Sequence, residues 1–121
     1  GGARLALHVY FGDVAKLYAE LQSMPVDVLS LDFTYSRELP RLIAAAGTSK
    51  ILGLGLIDGR NTKLETPETV FPVLDQVLPK LQDGHGYLSP SCGLEFLPRE
   101  RARAKLETMR RLKDAYFGGR A

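Results

Sequence analysis

The chain has few of the features that mark an exported or membrane-bound protein. It contains one cysteine, Cys92, in 121 residues, so it cannot form an internal disulfide bond. No apolar run approaches the roughly 20 residues that span a bilayer, and no basic region precedes a hydrophobic stretch at the N-terminus. We therefore expect a cytoplasmic protein without a membrane partner.

The composition is that of one globular domain with a small excess of positive charge. Hydrophobic residues make up 45% of the chain and charged residues 25%, which is enough to bury a modest core, and we treat residues 1–121 as a single domain. The net charge of +2 comes largely from residues 99–113, which form either a polyanion-binding face or a solvated helix. Aromatic residues are not interleaved with these cations, so no nucleic-acid partner is expected.

Apolar runs alternate four times with segments of helical spacing. Strands are predicted at residues 4–10, 26–33, 51–57 and 87–89, and helices at residues 14–21, 39–46, 66–81 and 98–117. Gly47 supplies a helix stop, and Thr66 with Pro67 a helix start. Pro72 and Pro79 are expected to bend or interrupt the third helix, because each removes a backbone donor.

This rhythm predicts an α/β fold of four consecutive βα units with parallel strands, since a helix provides each crossover. The strands are almost continuously apolar, so we expect both sheet faces to be covered. An eight-stranded (β/α)8 barrel takes about 250 residues, and four units in this chain amount to half of one. A half-barrel leaves two strand edges exposed, which predicts self-association or a partner chain.

Polar residues that could do chemistry follow each predicted strand. His8, Asp32, Asp58 and Cys92 all fall at strand ends, where the sites of parallel α/β folds collect. A lone thiol can be a metal ligand, a nucleophile or a buried filler, and the repeated placement of potential ligands favours a metal site. Asp32 could instead cap the next turn or pair with Arg37. Asp58 could bond to His8 or fix the loop that follows it.

Four segments resemble the C-terminal catalytic barrel of the cobalamin-independent methionine synthases, in order and in spacing. They are residues 8–13 (HVYFGD), 27–32 (DVLSLD), 52–58 (LGLGLID) and 89–94 (SPSCGL). The resemblance implies strands 5–8 of a barrel whose zinc ion activates the thiol of homocysteine for methylation. It implies zinc as the cofactor, and homocysteine and a methyl donor as partners. The partner that covers the strand edges would be either the missing N-terminal half of the barrel or a second copy of the chain.

By the same resemblance, His8 and Cys92 correspond to zinc ligands, and Asp32 stands where the family usually has a glutamate ligand. Tyr10 is a departure, because the family has a cysteine there and tyrosine is a poorer ligand for zinc. Three protein ligands with an open position would still describe a catalytic zinc site.

A second departure concerns the candidate catalytic residues Asp58 and Arg60. Arg60 stands where the family has a histidine thought to assist departure of the folate, and an arginine stays protonated. A corrinoid or another methyl carrier is therefore considered beside folate. Three hypotheses follow: a zinc-dependent thiol methyltransferase, a degenerate half-barrel that serves as an assembly or regulatory module, and an unrelated α/β binding domain.

Overall fold

The computed structural model describes residues 2–118, which contain a single four-stranded parallel sheet. Its strands are β1 (Ala6–Val9), β2 (Val28–Asp32), β3 (Ile51–Ile57) and β4 (Gly86–Pro90). They pair in sequential order, β1-β2-β3-β4, as the strands of a barrel do. The predicted fold class of four βα units with parallel strands is confirmed. An open sheet with a different strand order would have supported the unrelated α/β domain, so the observed order counts against that hypothesis.

A helical segment follows each strand. In the described part of the chain the α-helices are α1 (Tyr18–Gln22), α2 (Leu39–Ala46), α3 (Pro67–Val77) and α4 (Arg99–Gly118). Short 3-10 turns occupy Ala15–Leu17, Leu78–Lys80 and Gln82–Gly84. Gly47 ends α2 with a φ of 71°, a conformation that favours glycine, so the predicted helix stop is confirmed.

Two helices are shorter than predicted. The first begins as a 3-10 turn and becomes α-helical only at Tyr18, because Leu17 has φ −99° and ψ 4°. The third ends at Val77 rather than near residue 81, and a 3-10 turn that contains Pro79 follows it. Pro79 has no N–H to continue the α-helical bonding, whereas Pro72 lies inside α3 without ending it.

The two faces of the sheet differ in chemistry. One face carries Leu29, Leu31, Leu52 and Leu54, which are at most 2% exposed and pack with helical residues in the core. Neighbouring strands place small or polar residues on the other face, in the row His8, Ser30, Gly53 and Tyr87. His8 is exposed and Tyr87 is 52% exposed. Ser30 and Gly53, which lie between them, are buried. The expectation that both faces are covered is therefore wrong at the outer strands β1 and β4, where alternation along the strand gives only one apolar face.

Helix α4 is amphipathic. It buries Lys105, Leu112 and Tyr116, while its exposed face carries ion pairs one turn apart, Arg110 with Asp114 and Arg111 with Glu107. These pairs fit the solvated-helix interpretation of the basic segment. Among the described residues, no helix is both long and apolar enough to cross a membrane.

Candidate active site at the carboxyl ends of the strands

The candidate residues lie along one edge of the sheet. Because the four strands are parallel, their carboxyl ends meet there. His8 lies in β1, and Asp32 is the last residue of β2. Asp58 directly follows β3, and Cys92 follows β4 by two residues.

His8 and Cys92 line the same cleft, which has a volume of about 350 Å³. Its walls come from the ends of β1 and β4 and from the middle of β2, and they comprise His8, Val9, Tyr10, Ser30 and residues 89–94. β1 and β4 are the outermost strands of the sheet, and in a flat sheet they would lie about 14 Å apart. A single cleft between them indicates that the sheet curves around this opening, as a barrel wall does.

Cys92 is held tightly against the loop that follows β3. Its side chain is 9% exposed, and its Sγ donates to the Gly93 carbonyl at 3.3 Å. A Cβ on Gly59 would lie 2.8 Å from this Sγ, so a glycine is needed there to leave room for the thiol. The Gly59 N–H also donates to Ser91 Oγ at 3.1 Å. Burial raises the pKa of the Cys92 thiol, an effect only partly offset by the hydrogen bond from Ser91.

Asp32 is 1% exposed and caps the turn after β2. Its Oδ1 accepts hydrogen bonds from the N–H groups of Thr34 and Tyr35, at 2.9 and 3.2 Å, and from the Thr34 hydroxyl. Its Oδ2 accepts a bond from the Phe11 N–H at 3.3 Å. The Arg37 Nε donates instead to the Thr34 carbonyl. Asp32 therefore caps the turn after β2 and does not pair with Arg37.

Asp58 and Arg60 form an ion pair in the loop after β3. Neither lines the cleft that contains Cys92, although the charges of both act on the thiol. Asp58 Oδ1 accepts bonds from the backbone N–H and the Nε of Arg60, at 2.9 and 3.0 Å. Arg60 Nη2 donates to Thr34 Oγ1 at 2.6 Å. Burial alone would lower the pKa of Arg60, but hydrogen bonding to Asp58 and the attraction of its charge outweigh this effect and raise it. Asp58 thus fixes the loop, which is the second of its two considered roles.

Exposed aromatic rings surround the guanidinium. The Arg60 Cζ lies 4.1 Å from the centre of the Tyr35 ring and 5.7 Å from that of Phe11. The Phe11 ring in turn contacts Tyr10 at 5.0 Å and Phe96 at 5.7 Å. Phe11 has a φ of 65°, a strained conformation for a bulky residue. Tyr10 therefore lines the cleft with the thiol turn and also contacts the Phe11 ring next to Arg60.

The predicted zinc ligands reach the same edge without forming one coordination sphere. Among residues 2–118, no group of three or more histidine, cysteine, aspartate and glutamate side chains is arranged to hold a metal ion. His8 and Cys92 share the cleft, whereas the Asp32 carboxylate is engaged by backbone and hydroxyl donors. The assignment of all three as ligands stays a prediction.

Sequence reasoning missed Lys105 and Glu65, which tie α4 to the loop that carries Asp58. Lys105 is 0% exposed, and its Nζ lies 3.0 Å from Glu65 Oε2. The signal was its spacing, because Lys105 falls four and seven residues before the apolar positions Met109 and Leu112. By its charge alone, Lys105 belongs with the other cations of residues 99–113.

Comparison with known proteins identifies the family. The model of the cobalamin-independent synthase catalytic domain matches residues 2–114. The chain belongs to this family. The resemblance carried by the thiol turn and the three strand ends is thus confirmed.

Curated relatives of this synthase-family chain are much longer than the chain itself. It is 32% identical over 107 residues to the 5-methyltetrahydropteroyltriglutamate–homocysteine methyltransferase of Streptococcus suis, covering 88% of the chain and 14% of that protein. It is 38% identical over 96 residues to the protein of the same name from Histophilus somni, covering 79% and 12%. A methionine synthase of Saccharolobus islandicus is 31% identical over 108 residues, covering 88% and 32%. The chain thus spans a third or less of these relatives.

A solved structure supports the same fold. The chain superimposes with a TM-score of 0.68 on a B12-independent methionine synthase from Shewanella sp. W3-18-1 in complex with selenomethionine. The match covers 91% of this chain and 37% of that one, at 23% sequence identity. The four βα units of this synthase-family chain therefore correspond to part of a larger barrel-type fold.

Proposed function

We propose that this chain forms part of a catalytic domain that transfers a methyl group to the thiol of homocysteine. One observation carries the proposal: His8, in β1, and Cys92, two residues after β4, line a single cleft at the carboxyl edge of the sheet. The names of the relatives, methionine synthase and homocysteine methyltransferase, support this chemistry. Because the chain spans a minor part of those proteins, the acceptor and the donor are both proposals.

We infer that zinc is the cofactor of the site. The donor types fit, because an imidazole and a thiol are preferred ligands of zinc. Asp32 is the third candidate, through Oδ2, the oxygen with the longer and weaker hydrogen bond. When bound, zinc would supply Lewis-acid activation, lowering the pKa of the substrate thiol so that a nucleophilic thiolate forms near neutral pH.

The residues of this chain would orient the reactants and exclude water from the cleft. They would not donate or accept protons in the reaction. Arg60 is held by Asp58 and Thr34 and keeps its positive charge, so it would act as a fixed cation beside the cleft. It would be a poor acid towards the leaving group of a folate donor, which leaves a corrinoid or another methyl carrier as candidates beside folate. The aromatic group around Arg60 would shield this side of the cleft from water.

We further infer that other strands complete the sheet. Within residues 2–118, β1 pairs with β2 alone and β4 with β3 alone, and such unpaired edges recruit further strands. The polar face that carries His8, Ser30 and Tyr87 would then become the interior of a barrel. The additional strands would come from an N-terminal half of the barrel or from a second copy of the chain.

A second candidate function is a degenerate half-barrel that acts as an assembly or regulatory module. Two observations favour it. Tyr10 stands where the family has a cysteine and packs against Phe11, and the Asp32 carboxylate already accepts four hydrogen bonds. In this function the sheet edges would still recruit a partner, but the cleft would not activate a thiol.

A methyl-transfer assay separates the two functions. The chain, supplied with zinc and homocysteine, is tested for methionine formation with methylfolate and methylcorrinoid donors, alone and with a separately expressed N-terminal half of a relative's barrel. The proposal predicts methionine with one donor and its loss in Cys92→Ser. The control is Lys113→Met, which removes an exposed cation from α4 and should leave the rate unchanged. If methionine is absent from every mixture while the halves still associate, the assembly function replaces the catalytic one.

A further inference from the structure

Lys105 is a fully buried cation on a helix whose other paired cations lie in solvent. It occupies the apolar stripe of α4 with Met109, Leu112 and Tyr116, and its side chain is 0% exposed. A buried ammonium is costly unless its N–H groups are bonded and its charge is paired. The partners of Lys105 therefore indicate what it does.

All of these partners lie in the loop between β3 and α3. The Nζ donates to the two carboxylate oxygens of Glu65, at 3.1 and 3.0 Å, and to Asn61 Oδ1 at 3.3 Å. It also donates to the Lys63 carbonyl. The Glu65 side chain is only 14% exposed, so water screens this ion pair weakly. The Lys105 side chain thus bonds α4 to three residues of one loop, Asn61, Lys63 and Glu65.

Two hydrogen-bond routes lead from this ammonium to Asp58. Glu65 Oε2, which pairs with Lys105, also accepts the backbone N–H of Asp58 at 2.9 Å. Asn61, whose Oδ1 accepts from Lys105, donates through Nδ2 to Asp58 Oδ2 at 2.9 Å. Asp58 is thus held at its backbone and at its carboxylate, and that carboxylate holds the Arg60 guanidinium.

We propose that Lys105 is a positioning residue that sets the orientation of the Arg60 guanidinium from the far side of the loop. It does not line the cleft that contains Cys92 and acts only through Glu65, Asn61 and Asp58. The positioning of Arg60 would affect catalysis only through the proposed function, on which this part of the inference rests. The orientation of Arg60 can be measured without any methyl transfer. The experiment can therefore refute the positioning role of Lys105 without refuting methyl transfer, and the reverse.

The test is the solvent-exchange rate of the Arg60 Nε–H, followed by NMR on the whole chain and assigned with Arg60→Lys. In the wild type this proton is held by Asp58 Oδ1. In Lys105→Met, which keeps the length of the side chain and removes its charge, exchange should quicken about tenfold, as expected for loss of a charge-assisted hydrogen bond. Lys113→Met, the same change on the exposed face of α4, should leave the rate unchanged.

Two more variants separate positioning from folding. Lys105→Met with Glu65→Gln removes both charges and keeps a side-chain oxygen that can accept the Asp58 N–H, so it should restore stability that Lys105→Met loses by leaving the carboxylate unpaired. If Lys105 positions Arg60, this double variant regains its melting temperature while Arg60 exchange stays fast. Asn61→Ala cuts one route at an exposed residue and should give an intermediate rate. Wild-type exchange in a folded Lys105→Met, or recovery of slow exchange in the double variant, would overturn the proposal.

Discussion

Gly59 is the point at which the loop after β3 meets the thiol turn, and Gly59→Ala should damage both. A Cβ there would lie 2.8 Å from Cys92 Sγ, 3.1 Å from the Gly93 carbonyl oxygen and 3.2 Å from that of Cys92. The thiol could rotate away, but two of the three obstacles are backbone atoms and cannot move alone. The turn must therefore shift as a unit, and we expect the free energy of unfolding to fall by about 1–3 kcal/mol, the range for an overpacked core.

Gly12→Ala is the matched control. No atom lies within 4 Å of the Cβ it would add, so we expect its effect on the free energy of unfolding to stay within about 0.5 kcal/mol. Both substitutions reduce the entropy of the unfolded chain to a similar degree, so their difference isolates the steric clash. Cys92→Ala provides a further comparison. In that background the contact with Sγ is gone, and the cost of Gly59→Ala should fall by about 1 kcal/mol, a typical coupling between residues in contact.

Urea unfolding followed by circular dichroism measures these differences. At a slope of about 2 kcal/mol per M, the expected loss lowers the midpoint by about 0.5–1.5 M for Gly59→Ala. The midpoint of Gly12→Ala should remain close to that of the wild type. Equal midpoints for the two alanine variants would show that the thiol turn does not pack against Gly59 as the structure has it. An undiminished cost in the Cys92→Ala background would assign the clash to the backbone alone.

Two further outcomes follow from the site. Asp32→Ala leaves the N–H groups of Thr34 and Tyr35 without their acceptor, so the free energy of unfolding should fall by about 2–4 kcal/mol, and a thermal melt that is unchanged would contradict the capping role. In the metal-free protein Cys92 should react with iodoacetamide more slowly than a free thiol near neutral pH, because burial raises its pKa and only the thiolate is nucleophilic. Mass spectrometry gives the rate, and equal rates in the folded chain and in urea would exclude this protection.

Much of the fold could be predicted from local pattern. Strand and helix types were recognisable because apolar runs and helical spacing alternate, and sharp local signals such as Gly47 and Thr66 fixed two helix ends. The interruption at Pro79 was foreseen for a physical reason, the missing N–H. The exposure of His8 and Tyr87 on one sheet face was not predicted, because the strands look apolar throughout. In LGLGLI, however, the glycines lie on one face and the leucines on the other.

The site was predictable where it depends on strand ends and unpredictable where it depends on hydrogen bonds between loops. That His8 and Cys92 reach one edge follows from parallel strands. The capping of the turn by Asp32 was only one of several open roles, since it depends on how residues 33–36 fold back. The burial of Lys105 was not predicted, because a lysine normally indicates an exposed helix position even where its spacing matches the apolar stripe. Its burial depends on Glu65, 40 residues earlier in the sequence.

The most direct test of the proposed zinc site is the zinc content of the protein, measured by elemental analysis after purification without chelator and after zinc is added. We predict about one zinc per chain in the assembled protein and loss of that zinc in His8→Ala and Cys92→Ser. Zinc should be retained more tightly in Tyr10→Cys, which adds a thiol where the resemblance to the family implies one. Wild-type protein that takes up no zinc, or zinc that persists unchanged in Cys92→Ser, would contradict the account and favour an assembly module in which Tyr10 marks the lost site.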